Sequence, residues 1–165
     1  MSTANNAALN PKTDFLRHTV ATIAYRGGKA LRGAPADFAF FRAAEGVRSP
    51  GEILAHIGDL FDWALSMARG KQEWHDSKPL PWGEEVARFH RALEAFDSYL
   101  ASGAPLATPA EKLFQGPIAD ALTHVGQLTI LRRISGFPIR GENYSKAEVL
   151  AGRVGPEQTA PIREF

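Results

Sequence analysis

Hydrophobic residues recur at helical spacing in four stretches of the chain, with polar residues on the opposite faces. The stretches cover about residues 13–31, 49–70, 84–101 and 117–136. The first has Thr13 as its predicted N-cap and carries its apolar stripe on Phe15, Leu16, Val20, Ile23 and Ala24. No stretch of useful length alternates apolar and polar residues as a strand does. The pattern therefore predicts an all-α protein with the architecture of a four-helix bundle.

Capping signals indicate where several helices begin. Ser49-Pro50-Gly51-Glu52 combines an N-cap serine, a proline at the first helical position and a glutamate three residues after the cap. A similar pattern, Thr108-Pro109-Ala110-Glu111, predicts a short helical turn in the connector before the last helix. Residues 145–148 predict another small capped helix near the C-terminus, ended by Gly152.

The domain organisation follows from the same pattern. A chain of 165 residues fits one domain, and the helical stretches assign residues 13–152 to it. Residues 1–12 are polar and are predicted to form a flexible N-terminus, while residues 153–165 are a C-terminal tail without a recognisable pattern. Between the first two helices, Phe38, Phe40 and Phe41 form an aromatic cluster. We expect the connector that holds these rings to pack over one end of the core, because so many rings are costly to leave in water.

Composition narrows the chemistry that this domain can perform. The chain has no cysteine, which excludes disulfides, thiolate nucleophiles and cysteine metal sites. Its 19 Lys and Arg against 18 Asp and Glu leave a net charge of +1, which makes nucleic acid an unfavourable partner. No apolar run reaches the ~18 residues of a membrane span, and the polar start does not resemble a signal peptide. We therefore expect a cytoplasmic protein that has no membrane partner and uses His, Asp, Glu or hydroxyl groups for any chemistry.

Two of the predicted helices carry ionisable side chains on or beside their apolar stripes. His56, in the second helix, shares the face of the apolar residues three before and four after it. In the last helix, Asp120, His124 and Gln127 follow one another at intervals of four and three residues, so they also share a face. In a helix bundle, inward-projecting groups on facing helices are the usual components of a site.

This spacing is compatible with a metal site. Two ligands four residues apart can bind one ion, and His56 is the best-placed third ligand. Two histidines and one carboxylate, with open positions left for water or substrate, suit Zn, Ni or Fe. Asp59, three residues after His56, is a reserve carboxylate ligand or an orienting partner. Without a metal, His56 could be a core histidine, Asp120 could meet the helix dipole, and Gln127 could bond across the interface.

Two motifs on these helices are familiar. One is Ile53-Leu54-Ala55-His56-Ile57, which follows the Ser-Pro-x-Glu start. The other is Thr123-His124-Val125-Gly126-Gln127, followed by Leu131-Arg132-Arg133 and Gly136. Taken with the order of the elements over about residues 15–148, they resemble the second- and fourth-helix signatures of the DinB-like superfamily of metalloenzymes.

The resemblance implies a bundle, often dimeric, whose divalent metal is held by three histidines, one from the second helix and two from the fourth. His56 and His124 match two of these positions. Asp120 departs from the third, which leaves open a two-His, one-carboxylate site, a weak site or an empty one. Asp59 or Gln127 would orient the ligands. As substrate-pocket residues, Asn143 and Tyr144 are expected at the mouth of the site, because they lie in the loop after the last helix.

For function, the resemblance implies a metal-dependent transferase or hydrolase. Members of the superfamily activate a low-molecular-weight thiol or a water for transfer, isomerisation or hydrolysis of a small molecule. Because this chain has no cysteine, any thiol in the reaction would arrive as a cosubstrate. The resemblance also favours a homodimer. The alternative is a non-catalytic, stress-related bundle that acts as a binding or dimerisation module and has a degenerate or empty metal site.

Overall fold

The computed structural model describes residues 10–165, and this part of the chain has the predicted all-α architecture. Four long helices pack against one another, and a short helix precedes the last of them. The helices are α1 (Pro11–Leu31), α2 (Pro50–Ala68), α3 (Trp82–Ala101), the short α4 (Ala110–Leu113) and α5 (Ala119–Ile134). Within residues 10–165, none of the helices is both long and apolar enough to cross a membrane.

The first helix begins earlier than the sequence pattern predicted. Most of the predicted flexible N-terminus, residues 1–9, lies outside the described residues, but α1 already starts at Pro11. Its N-cap is Asn10, whose side-chain oxygen accepts a hydrogen bond of 2.9 Å from the backbone N–H of Lys12. Thr13 as N-cap was therefore wrong. Asn10 followed by Pro11 makes a better start, because proline at the first helical position has no N–H to leave unsatisfied.

Helices α1 and α2 lie diagonally across the bundle, each packed between α3 and α5. The connection between them crosses one end of the bundle as a 3-10 helix, Ala36–Phe40, which packs on α2 and α3. Phe38 is buried edge-on against Trp82 at 5.5 Å between ring centroids, and Phe41 is partly buried. The connector therefore packs over one end of the core as predicted, although Phe40 is 81% exposed. In a 3-10 helix, positions three apart share a side, which turns Phe40 away.

The apolar stripes form the core, with one exception. The buried residues on α1 include Leu16, Val20, Ile23 and Ala24, as predicted, but Phe15 is 61% exposed. Its ring instead meets the exposed ring of Phe114 at 6.5 Å on the surface.

The two capping patterns have different outcomes. At α2 the capping box forms: Ser49 Oγ accepts from the N–H of Glu52 at 3.3 Å, and Glu52 Oε2 accepts from the N–H of Ser49 at 2.7 Å. The box predicted at Thr108 does not form, because the Thr108 hydroxyl donates to the Met67 carbonyl at the end of α2 instead. Helix α4 begins after Pro109 without a side-chain cap.

Helix α5 does not have a separate beginning near Pro117. Residues Phe114–Ile118 form a π-helical turn that joins α4 to α5, and Pro117 lies inside it. Proline has no N–H to donate, and the next hydrogen bonds shift accordingly: the N–H of Ala119 reaches the carbonyls of both Gly116 and Phe114. The helix is therefore continuous through this point, and the first turn of α5 is not a free N-terminus.

The C-terminal segment returns to the bundle. The small helix predicted at residues 145–148 is a single 3-10 turn, Tyr144–Lys146, capped by Asn143. Glu142, just before this turn, and Glu164, near the C-terminus, form an isolated antiparallel bridge, and both carboxylates accept hydrogen bonds from Lys29 of α1, at 2.7 and 2.8 Å. Val154 is buried in the core. The tail for which the sequence offered no pattern is thus tied to the bundle by ion pairs and packing.

Candidate metal centre

The three predicted ligands converge between two neighbouring helices. His56 lies in the first half of α2, and Asp120 and His124 lie on successive turns of α5, which packs against α2. The Asp120 carboxylate stands between the two imidazoles: Oδ2 is 3.5 Å from His56 Nε2, and Oδ1 is 3.4 Å from His124 Nε2. One candidate ligand atom from each residue lies within 4.8 Å of the other two.

These separations fit a single ion. With metal–ligand bonds of about 2.0–2.2 Å, neighbouring ligand atoms of a tetrahedral site lie roughly 3.3–3.6 Å apart. Each carboxylate–imidazole distance falls in this range, 3.5 Å from Oδ2 to His56 and 3.4 Å from Oδ1 to His124, and one ligand atom from each residue lies within 4.8 Å of the other two. Two imidazoles and one carboxylate are also a donor set that Zn and other divalent transition metals accept, with a position left for water or substrate. The group could therefore hold a metal ion.

Gln127 orients His124 in the way that metal binding requires. The side-chain oxygen of Gln127 lies 2.7 Å from His124 Nδ1. Because an amide oxygen can only accept, Nδ1 carries the proton, which leaves Nε2, the nitrogen that faces Asp120, as the atom that could bind a metal. A hydrogen bond to the ring nitrogen that does not bind metal is the usual way to fix the tautomer of a ligand histidine.

His56 is suited to be a neutral ligand. Burial lowers its pKa below the ordinary histidine value, and the positive fields of His124 and Arg48 lower it further, against the opposing pull of Asp120. At neutral pH the imidazole is therefore uncharged. The indole of Trp74 packs edge-on against it at 5.6 Å between centroids, and Trp63 packs in turn on Trp74 at 5.8 Å. These rings shield one side of the group from water.

The other interpretation of Asp120, as a carboxylate that meets a helix dipole, has little support. A dipole effect needs unsatisfied N–H groups at a helix start, and the π turn supplies α5 with preceding helical backbone. Asp120 is half exposed, with 47% of its side-chain surface open, and its ionic contacts are the two histidines.

Asp59 is not part of this group. Its side chain is buried, and its oxygens accept hydrogen bonds from the backbone N–H and hydroxyl of Ser77, at 2.8 and 2.7 Å, and from the Arg88 guanidinium. Arg88 comes from α3 and also contacts Asp62 at 3.1 Å. Asp59 therefore ties the α2–α3 connector and α3 to α2 and does not orient His56 directly.

Tyr144 lines a cavity other than those at the metal group, and Asn143 directly precedes it in the chain. Asn143 caps the 3-10 turn through Ser145, and Tyr144 packs on Tyr25 with Arg26 above its ring at 4.3 Å. Tyr144 lines a cavity of about 290 Å³ with residues of α1, α5 and the tail, and none of the three metal-group residues lines it. The lining of this cavity does not connect Tyr144 with the metal group, and the assignment of Asn143 and Tyr144 to a substrate pocket stays a prediction. The chain after α5 turns back toward α1, away from α2.

Three cavities meet at the metal group, and each contains one of its side chains. His56 opens into a cavity of about 460 Å³ beneath the α2–α3 connector, and His124 into an apolar one of about 440 Å³ beside the start of α2. Asp120 lines a third, shallower cavity with Trp63. A ligand bound at the three side chains would thus have room on more than one side.

Sequence reasoning missed three side chains around this group. Trp74 and Arg48 lie in connectors, where residue spacing carries no information on position, and only a tertiary contact brings them to His56. Arg88 lies on α3, and only the packing of α3 on α2 brings its guanidinium to Asp59 and Asp62. In the sequence, Trp74 and Arg48 are marked only as an aromatic residue and an arginine in the connectors next to α2, and this does not show that they lie near His56.

Comparison with models of protein families finds none that matches this chain. Searches of curated proteins and of solved structures likewise find no similar protein. The chain is therefore described by what its own residues form: four packed helices with a His56, Asp120 and His124 group that could hold a metal ion.

Proposed function

We propose that this protein is a DinB-like, divalent-metal-dependent enzyme that acts on a small molecule. The observation that supports it most is the convergence of His56, Asp120 and His124, three residues from two helices, within bonding reach of one ion. The order of the helices and the motifs around both histidines favour the same proposal. Aspartate in place of the third histidine keeps a ligand of suitable reach, so the site need not be lost.

Each residue of the metal group would have a distinct role. His56, Asp120 and His124 would hold Zn, Ni or Fe. A bound ion of this kind supplies Lewis-acid activation, which lowers the pKa of a coordinated thiol or water and makes it a nucleophile at neutral pH. Asp120 contributes one negative charge to the site. Gln127 keeps the proton of His124 on Nδ1, and Trp74 limits the access of water to His56.

The reaction class within this proposal is transfer, isomerisation or hydrolysis. With no cysteine in the chain, a thiol would have to be a low-molecular-weight cosubstrate. The homodimer implied by the resemblance stays a prediction, to be checked by sedimentation. The competing proposal is a non-catalytic binding or dimerisation module. It is favoured by the same contacts, because a carboxylate between two histidines is also a sufficient hydrogen-bonding network by itself.

The metal content of the purified protein distinguishes the enzyme proposal from the non-catalytic module. Wild-type protein is stripped with a chelator, loaded with Zn or Ni, dialysed extensively and analysed for metal. We expect one ion per chain, and we expect His124→Ala to abolish it, because two remaining ligands bind a divalent ion weakly. His18→Ala is the matched control: this histidine is exposed on α1, and its loss should leave the metal content unchanged.

A wild-type protein that retains no metal after dialysis would contradict the enzyme proposal and favour the non-catalytic module. Retention by His124→Ala equal to that of the wild type would contradict the assignment of the ligands. Fluorescence gives an independent check, because Trp74 lies 5.6 Å from His56 and a bound Ni or Co ion should quench it. Trp74→Phe should lose most of that quenching while it keeps the ion.

A further inference from the structure

Arg48 is an arginine beside the metal group that makes no ion pair among the described residues. It precedes Ser49, the N-cap of α2, and its side chain is exposed. It lines both the cavity that contains His56 and the cavity that contains His124. Within residues 10–165, no carboxylate lies at ion-pair distance from its guanidinium, whereas nearby Arg42 pairs with Glu52 at 2.8 Å.

The other charges around this cavity are compensated. Glu52 is held by Arg42, and the buried Asp59 is held by Arg88 and Ser77. The α2–α3 connector contributes one charge of each sign, on Asp76 and Lys78. Of the two arginines that line this cavity, Arg48 is therefore the one that makes no ion pair with a residue of the described part of the chain.

The second cavity adds an apolar wall on the other side of Arg48. It has a volume of about 440 Å³, enough for a small molecule, and polar side chains enter it only near the metal group. Arg48, His124 and Gln127 are these polar side chains. The remainder of the wall is apolar and includes Val47, Ile53, Ile130, Leu131 and Ile134.

We propose that Arg48 is the specificity residue of the site and binds a carboxylate on the substrate or thiol cosubstrate. The guanidinium presents parallel N–H donors that match the two oxygens of a carboxylate, and it stays charged at any physiological pH. The apolar wall then receives the hydrocarbon part of the ligand, and a donor atom of the same molecule reaches the metal group. The ligand class is a small carboxylic acid with an apolar portion. This inference rests on the metal-dependent function proposed above.

The test uses the full chain loaded with cobalt, whose bond to a thiolate gives a near-ultraviolet charge-transfer band. The probes are 3-mercaptopropanoate and 3-mercapto-1-propanol, which have the same chain length and differ in the carboxylate. We expect wild-type protein to bind the acid roughly tenfold more tightly than the alcohol, as a charged hydrogen bond at a partly exposed site allows. Arg48→Gln should remove this preference and leave the affinity for the alcohol unchanged.

Two further variants serve as controls for Arg48→Gln. Arg48→Lys keeps the charge without the paired donors and should retain part of the preference. Arg91→Gln removes an exposed arginine of α3 that lines none of these cavities, and it should behave as wild type. Because Arg48 is exposed and makes no ion pair, its substitution should not alter the helical content.

The outcomes distinguish a failure of the role of Arg48 from a failure of the metal-dependent function. If cobalt binds but the two probes bind equally well, or if neither gives the band, the role of Arg48 is overturned while the metal site stands. The same holds if Arg48→Gln keeps the preference for the acid. If wild-type protein does not bind cobalt at all, both proposals fail.

Discussion

At the scale of single residues, Gln127 and Asp59 began as equivalent partners for the ligands and ended in different environments. Gln127 follows His124 by three residues on the same helix, and that local geometry is enough to bring the amide oxygen to Nδ1 at 2.7 Å. Asp59 follows His56 at the same spacing, but Arg88 and Ser77 from other elements take its oxygens. Spacing within one helix is visible in the sequence. Competition from another helix is not.

Substituting Gln127 should weaken metal binding without loss of fold. Gln127→Leu removes the acceptor for His124 Nδ1, so the ring is free to turn or to change tautomer, and we expect the affinity for Zn to fall roughly 10- to 100-fold. Gln127→Glu keeps an acceptor and should retain the affinity. Competition against a chromophoric chelator measures both. Because Gln127 is exposed, thermal unfolding of the metal-free variants should match wild type; an unchanged affinity in Gln127→Leu would refute the orienting role.

At the scale of elements, the sequence predicted the helices well and their junctions poorly. Apolar periodicity and the Ser49 capping box are local signals, and they located α2 and the four-helix class. The π turn around Pro117 was missed, because a proline normally marks the start of a helix and only the packed chain shows that α4 and α5 are continuous. Gly27 is a buried residue in the interior of α1, although glycine lowers helix propensity.

Gly27 lets α3 approach α1, which gives a test at this scale. A Cβ at Gly27 would lie 2.7 Å from Cζ of Phe89, a fully buried ring that cannot easily move. We expect Gly27→Ala to lower the free energy of unfolding by about 1–3 kcal/mol through overpacking, although alanine is the better helix former.

Gly126→Ala is the matched control for this prediction. It is also a helical glycine, in α5, but a Cβ there meets nothing within 4 Å. We expect it to raise the free energy of unfolding by up to about 1 kcal/mol, because alanine has a higher helix propensity than glycine and no close contact opposes it. Urea unfolding of metal-free protein measures both variants. If the two substitutions shift stability in the same direction, the close approach at Gly27 does not limit the packing.

At the scale of the whole molecule, the C-terminal segment closes the bundle on the side away from the metal group. Lys29 of α1 holds Glu142 and Glu164 together, and Tyr25 donates to Glu142 at 2.6 Å. On α3, His90 Nδ1 lies 3.1 Å from the carbonyl oxygen of Val154, so it carries the proton and donates. These contacts join residues that are far apart in the sequence, and no spacing pattern links them. The sequence therefore did not predict the structure of residues 153–165.

The contact of His90 with Val154 predicts how stability depends on pH. Burial is the largest cause that lowers the pKa of His90 below its ordinary value of about 6.5, with a smaller lowering from Arg32 and an opposing effect of the bond to Val154. As the pH falls below that value, the unfolded chain takes up a proton before the folded one. The contribution of neutral His90 to the free energy of unfolding is therefore fully present above about pH 6.5, and it is lost as the pH falls toward the lower pKa of His90 in the folded protein.

The measurement compares wild type with His90→Gln, which can still donate to Val154 but does not titrate. Urea unfolding of metal-free protein at about pH 7.5 and about pH 5.5 gives the free energy of unfolding of each. Other titrating groups are common to both proteins and cancel in the difference. We expect the advantage of wild type over the variant to be smaller at the lower pH. An equal or larger advantage at pH 5.5 would mean that His90 is protonated in the folded protein, and so that the C-terminal segment does not keep it buried.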